Sequence, residues 1–173
     1  MTATAERIGP ERVAERLAAV RQRVAEAAGR AGRPASAVKL VVVTKGVAPP
    51  VMQAALDAGA TDLGENRAQE LLAKAPELKS RPTWHFIGRL QRNKVASLAP
   101  LVDGLRSAGL SVDGLMTIPA AGRDPRPAFA RLAALADRLG LAEVSMGMSD
   151  DFEVAVEEGT TIVRVGRAIF GLR

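Results

Sequence analysis

Short apolar strands alternate with amphipathic helices along almost all of this 173-residue chain, with connections of only a few residues. Strand–helix alternation of this kind allows few architectures, because parallel strands need a crossover helix between them. The first strand signal is VKLVVVTKG, a continuous β-branched run suited to burial on both faces. Six strands are predicted, over residues 38–44, 61–65, 83–87, 114–118, 143–147 and 161–165. The expected fold class is therefore α/β, a parallel βα-repeat.

The helices are legible from spacing and stops. Val13, Leu17, Val20 and Val24 mark one apolar face of a helix over 10–28, ended by Gly29, Gly32 and Pro34. Pro49 and Pro50 open the next helix and Gly59 closes it. Further helices are predicted in RAQELLAKAPELK, QRNKVASLA, PRPAFARLAALADRLG and DDFEVAVEEG, with a helical stub in RAIFG. LDAGATDLGEN and VEEGTTIVRVG share a frame of helix, Gly, any residue, Thr, strand and Gly, which reads as two units obeying one capping rule. Neither a G-x-G-x-x-G pattern nor a P-loop lysine follows any strand, so a nucleotide-binding doubly wound sheet has no support. In a barrel of such units, ligands bind at the C-terminal ends of the strands.

Polar residues gather at those ends: Thr44-Lys45-Gly46, Gly64-Glu65-Asn66, His85 with Gly88, Thr117, Ser149, and Arg164-Val165-Gly166-Arg167. Lys45 follows four apolar or β-branched residues, which puts its stem at the edge of a dry interior. Burial disfavours an ammonium, and a deprotonated amine attacks aldehydes. The competing reading is a lysine that snorkels out of a strand end. Ser149 stands where a strand passes into a helix, as an N-cap beside free N–H groups that suit an anion. Gly166 lets backbone approach a ligand, and Arg164 or Arg167 adds charge-assisted bonds. Plain helix capping explains the same residues. His85 faces opposite to Trp84 and Phe86, as a satisfied interior histidine or a pocket group. Asn66 either contacts a ligand or caps the next helix, and Met116, Met146 and Met148 read as apolar walls.

Composition removes several function classes. With no Cys and one His, thiol catalysis, disulfides and a His-rich metal site are excluded, and no metal is expected. The net charge of +5 is spread among acidic residues, as in Glu11-Arg12 and Glu15-Arg16, and stacking aromatics are scarce. Nucleic acid is therefore not an expected partner. The N-terminus has no apolar segment typical of a signal peptide, no run approaches a membrane span, and the cytoplasm is the expected location.

VVVTKG, GATDLGENRAQELLAK, WHFIGRLQRNK, GLMTIP and SMGMSDDFEVAVEEGTTIVRVGRAIFG together resemble the pyridoxal phosphate homeostasis protein family. The likeness covers most of residues 10–103 and 110–173 in the family's order. It implies a TIM-barrel-like fold, the barrel of the alanine racemase N-terminal domain, over residues 1–173 as one unit. It also implies pyridoxal 5′-phosphate (PLP) as cofactor, held as a Schiff base on Lys45. Ser149, Arg164 and Gly166 match phosphate-binding positions, with Arg167 beside them, and Asn66 and His85 match residues lining the pocket. The implied role is intracellular PLP homeostasis without an assigned turnover. Its partners would be the cofactor and PLP-dependent apoenzymes, and the chain a monomer or weak homodimer. Two alternatives stand beside it: a paralogue that binds nothing, and an amino-acid racemase or lyase. The absence of any Tyr weighs against the latter, since two-sided proton transfer needs a second acid or base.

The chain departs from the family in one respect. A barrel of this class has about eight βα units, and only 25 residues lie between Gly88 and Gly114. A segment of roughly 50 to 60 residues, about two units, is missing, with the join expected near Asp103-Gly104. Strand number, tilt and stagger are linked in a closed barrel. The remaining six strands are thus expected to close under strain, to stay open under the N-terminal helix or a second copy, or to fold poorly.

Overall fold

The computed structural model describes residues 8–88 and 113–171. Its strands are β1 (Lys39–Val43), β2 (Asp62–Glu65), β3 (Thr83–Phe86), β4 (Gly114–Met116), β5 (Glu143–Ser145) and β6 (Ile162–Val165). They form one parallel sheet in the order β3-β2-β1-β6-β5-β4, curled into a half-barrel. The six expected strands are all present, each trimmed by a residue or two at its ends. First and last strands lie side by side at the centre, with Lys39 opposite Ile162 and Val42 opposite Val165. β3 and β4 have one strand neighbour each among the described residues. Among the described residues the sheet is therefore open there. Met116 and Ile118, at and just past β4, are 39% and 58% exposed, as befits an edge with no further strand among the described residues.

The helices are α1 (Pro10–Arg30), α2 (Pro49–Asp57), α3 (Ala68–Lys74), α4 (Arg126–Arg138), α5 (Phe152–Glu157) and α6 (Arg167–Phe170). α1 does not cover an open barrel interior, one of the outcomes expected from sequence. It packs against α2, α5 and α6 in the outer layer, where Val13, Leu17, Val20 and Val24 join one core with Val42, Leu63, Val163 and Val165. Strand alternation sends Val41 to the face opposite Val42, and both are buried, so the central strand is apolar on both sides as its sequence demands. A second core unites Phe129, Val144, Met146 and Ala155 under α4.

Two helix ends differ from expectation. α1 runs through Gly29, because a glycine in the last turn costs little there, and stops only at Gly32 and Pro34. α3 ends at Lys74, since Pro76 cannot continue an α-helix, and residues Ala75–Glu77 form a 3₁₀ turn instead. The echo between the two Gly-Thr frames is a shared helix end. Gly59 and Gly159 have φ of 86° and 93°, and Ala60 and Thr160 donate back to Ala55 and Ala155 at 2.9 and 3.0 Å. After the second of these ends the Thr160 hydroxyl is buried, donating within reach of Val144 O at 2.8 Å and accepting from Met146 N at 3.3 Å. That stitches β5 to β6.

The predicted helix QRNKVASLA, the join at Asp103-Gly104 and the part of WHFIGRLQRNK beyond Gly88 lie outside the described residues. No helix among the described residues is long and apolar enough to cross a membrane.

Phe152 ties the outer layer together: it is fully buried, and the Arg23 guanidinium of α1 lies 4.6 Å above its ring while bonding Glu153 at 3.0 and 3.1 Å. Phe152→Ala should lower the unfolding free energy by about 3–5 kcal/mol, measurable as a shift in the midpoint of urea denaturation.

Candidate functional site

β1 ends at Val43, and the chain turns at once, with Val47 N–H donating to Thr44 O at 2.9 Å. Thr44 is fully buried, whereas Lys45 and Gly46 at the tip of the turn are exposed. The expected dry edge around the Lys45 stem is not there, because the turn carries the residue past the end of the apolar strand. Lys45 makes no hydrogen bond or ion pair among the described residues.

Its backbone neighbours are held firmly. The Glu65 side chain at the end of β2 is fully buried, and its Oε1 accepts from Thr44 Oγ1 at 2.8 Å and Lys74 Nζ at 2.9 Å. Lys74 Nζ also donates to Thr44 O at 3.2 Å and to Glu70 Oε2 at 3.0 Å. Glu70 Oε2 accepts in turn from Gly46 N–H at 3.3 Å. The hydrogen bond from Lys74, seconded by that from Gly46, holds the Glu70 carboxyl below its ordinary range. Glu65 Oε2 is buried without a partner among the described residues. Sequence reasoning missed this cluster. The available signals were the i,i+4 spacing of Glu70 and Lys74, and the parity that turns Glu65 toward the helix layer.

Gly166 ends β6 and opens α6. A Cβ there would stand 3.0 Å from Val43 O and 3.2 Å from Val43 Cβ, so a side chain would push β6 away from β1. The Gly166-Arg167 corner consequently lies against Val43, two residues before Lys45. Ser149, from the next strand over, is not the N-cap of α5. Asp151 holds that place and accepts from Met148 N–H at 2.6 Å. The Ser149 Oγ instead accepts from Ala168 N–H in the first turn of α6 at 3.1 Å, which leaves its hydroxyl hydrogen without an acceptor among the described residues. Arg167 is half exposed and paired with Asp150. Arg164 is buried and spans three strands, donating to Ser145 Oγ at 2.7 Å and to Thr117 O at 3.0 Å. Burial pulls its guanidinium below the ordinary value, partly offset by the Asp151 carboxylate. A guanidinium carries five N–H groups, so Arg164 keeps further donors beyond these two.

His85 and Asn66 lie on the β2–β3 side. His85 Nε2 meets Asp62 Oδ1 at 2.7 Å, the satisfied interior histidine of the plainer reading. Burial pushes the Asp62 carboxyl up, but hydrogen bonds from His85 and Thr61 outweigh it and leave the group below its ordinary range. Asn66 is exposed and does not cap α3, whose N-cap is Arg67. Of the methionines read as walls, Met146 is fully buried while Met116 is 39% exposed. The rim thus offers an unpaired amine, a free hydroxyl hydrogen and two guanidinium groups from three adjacent strands. That donor set fits a small molecule bearing both an aldehyde and an anion.

No protein-family model matches the chain. A pyridoxal phosphate homeostasis protein of Aquifex aeolicus is 36% identical over 222 residues, covering 92% of this chain and 97% of the relative. One of Deinococcus radiodurans is 37% identical over 200 residues, covering 85% and 95%. Because the 222-residue alignment takes in 92% of a 173-residue chain, about 60 positions of the Aquifex relative have no counterpart here. The shortfall has the size expected from sequence. Among solved structures, PipY of Synechococcus elongatus with PLP bound superposes with a TM-score of 0.72 at 28% identity, covering 92% of this chain and all of that one. An unknown protein of Bifidobacterium adolescentis gives 0.78 at 27% identity, covering 98% and 100%. With such relatives matching across most of its length, this chain belongs to the pyridoxal phosphate homeostasis protein family.

Proposed function

We propose that this chain binds PLP at the C-terminal rim of its half-barrel and serves intracellular PLP homeostasis, with Lys45 supplying the amine that ties the cofactor's aldehyde. The observation that carries the reading is the succession of β1, β6 and β5: neighbours in the sheet, they end in Lys45, in Gly166-Arg167 and in the loop bearing Ser149. PLP supplies an electrophilic aldehyde and an electron-withdrawing ring when bound. Lys45 is unpaired and accessible to an aldehyde. Ser149 has a hydroxyl hydrogen to give to a phosphate oxygen, and Gly166 keeps the α6 corner close to β1. Arg164 and Arg167 place positive charge beside that corner, Arg167 exchanging Asp150 for the phosphate. Asn66 and His85 border the site on its β2–β3 side. The location in the cytoplasm and PLP-dependent apoenzymes as recipients belong to the same reading.

A turnover role is disfavoured by the side-chain inventory. The chain has no Tyr, and the described histidine is committed to Asp62, so neither of these residue types offers a free second acid or base opposite Lys45. The non-binding paralogue is favoured by one observation, a sheet open among the described residues in a chain about 60 positions shorter than its relative.

Incubation with PLP should turn the protein yellow, and borohydride should fix the cofactor to Lys45, located by peptide mass spectrometry; Lys45→Ala should stay colourless. Failure of wild type to colour would defeat the proposal. Ser149→Ala should raise the dissociation constant by roughly ten-fold, the loss of one hydrogen bond to a charged group, as read by absorbance titration. Saturating PLP should also raise the melting temperature, since a ligand specific for the folded state must stabilise it; an unchanged value supports the non-binding paralogue.

A further inference from the structure

We infer that Glu70 and Lys74 are positioning residues that strap the Thr44-Lys45-Gly46 turn from both sides and hold Lys45 ready for its ligand. The inference rests on the reading that Lys45 receives PLP. Three contacts bracket that residue. Lys74 Nζ grips the carbonyl of Thr44, Glu65 takes the Thr44 hydroxyl, and Glu70 takes the N–H of Gly46. The peptide groups on either side of Lys45 are thereby engaged, while its own side chain makes no bond among the described residues. Fixing backbone and leaving the functional side chain free is how a rigid site presents a reactive group.

An ordinary structural ion pair explains the arrangement less well. The Glu65 side chain is fully buried and Lys74 is 13% exposed, yet one Glu65 oxygen has no partner. Apolar residues of similar volume would tie α3 to the sheet without that desolvation cost. Outside β2 and α3, the backbone that the cluster grips is that of Thr44 and Gly46. The charge is arranged to persist: Glu70 is held in its ionised form by the two donors it serves. The cluster carries two carboxylates and one ammonium, a net negative charge beside the turn, so the variant that removes charge but keeps the acceptor, Glu70→Gln, separates geometry from charge.

The test uses the full chain and two readouts, one independent of cofactor. The first is backbone amide exchange of Gly46 in cofactor-free protein. The second is the rate of absorbance change on adding PLP. Glu70→Ala should speed Gly46 exchange and slow PLP uptake, each by about ten-fold, with little change in melting temperature because the Glu70 side chain is partly exposed. Glu70→Gln should restore most of both, since its amide oxygen can still accept from Gly46. Lys74→Met should act in the same direction and more strongly. If Glu70→Ala matches wild type in both readouts, or if the Gln and Ala variants behave alike, the strap is wrong. A wild type that binds no PLP overturns the Lys45 reading and with it the purpose assigned to the strap. That result is distinct from failure of the strap alone, in which wild type and Glu70→Ala bind equally fast.

Discussion

The pairing of β1 with β6 is the constraint on which the rest of this molecule depends. It brings the first strand against the last, with Val41 opposite Arg164 and Val42 opposite Val165. Its hydrogen bonds sit in the middle of the sheet, under the core that α1 shares with α2, α5 and α6. It also sets the site. The corner at Gly166 can lie on Val43 only because no side chain intervenes, and that contact fixes how far the α6 end stands from Lys45. A shift of one residue in this register would turn Arg164 into the outer core and Val165 onto the open face.

Much of this was legible from residue patterns, and the reasons are local. The β-branched run of β1, the valine spacing of α1 and the Gly-Thr helix ends are all short-range signals that packing reinforced. The strand ends were legible too, since polar residues there cannot belong to the core. What was not legible is three-dimensional partnership. Ser149 sits at the start of a helix in sequence, but its oxygen caps a different one through Ala168. Lys45 looked like the tail of a dry strand, but an early turn at Thr44 exposes it. The Glu65–Lys74–Thr44 cluster joins β2, α3 and the turn after β1, and only the Glu70–Lys74 spacing and the strand parity of Glu65 hinted at it.

A barrel of this class fills its interior with layers of branched apolar side chains. This half-barrel does something different on its concave side. Arg164 reaches from β6 to Ser145 and Thr117, and His85 bonds Asp62 between β3 and β2. Directional polar bonds thus join neighbouring strands where an interdigitated layer would otherwise do so. Such bonds tolerate an absent opposite wall better than apolar packing does, because their partners lie within the sheet itself. This offers a physical route by which a relative short of about two units keeps its curvature.

Pairing residues 39–42 with residues 162–165 has a kinetic side as well. The central ladder joins stretches far apart along the polypeptide, so closing it carries a large loop entropy before any of its bonds form. During synthesis the amino-terminal strand must wait for the last one to emerge from the ribosome. Until then its β-branched edge is uncovered on the side that β6 will take, a ready template for pairing with other chains. Among the described strands, KLVVV is the one whose nascent state most needs shielding.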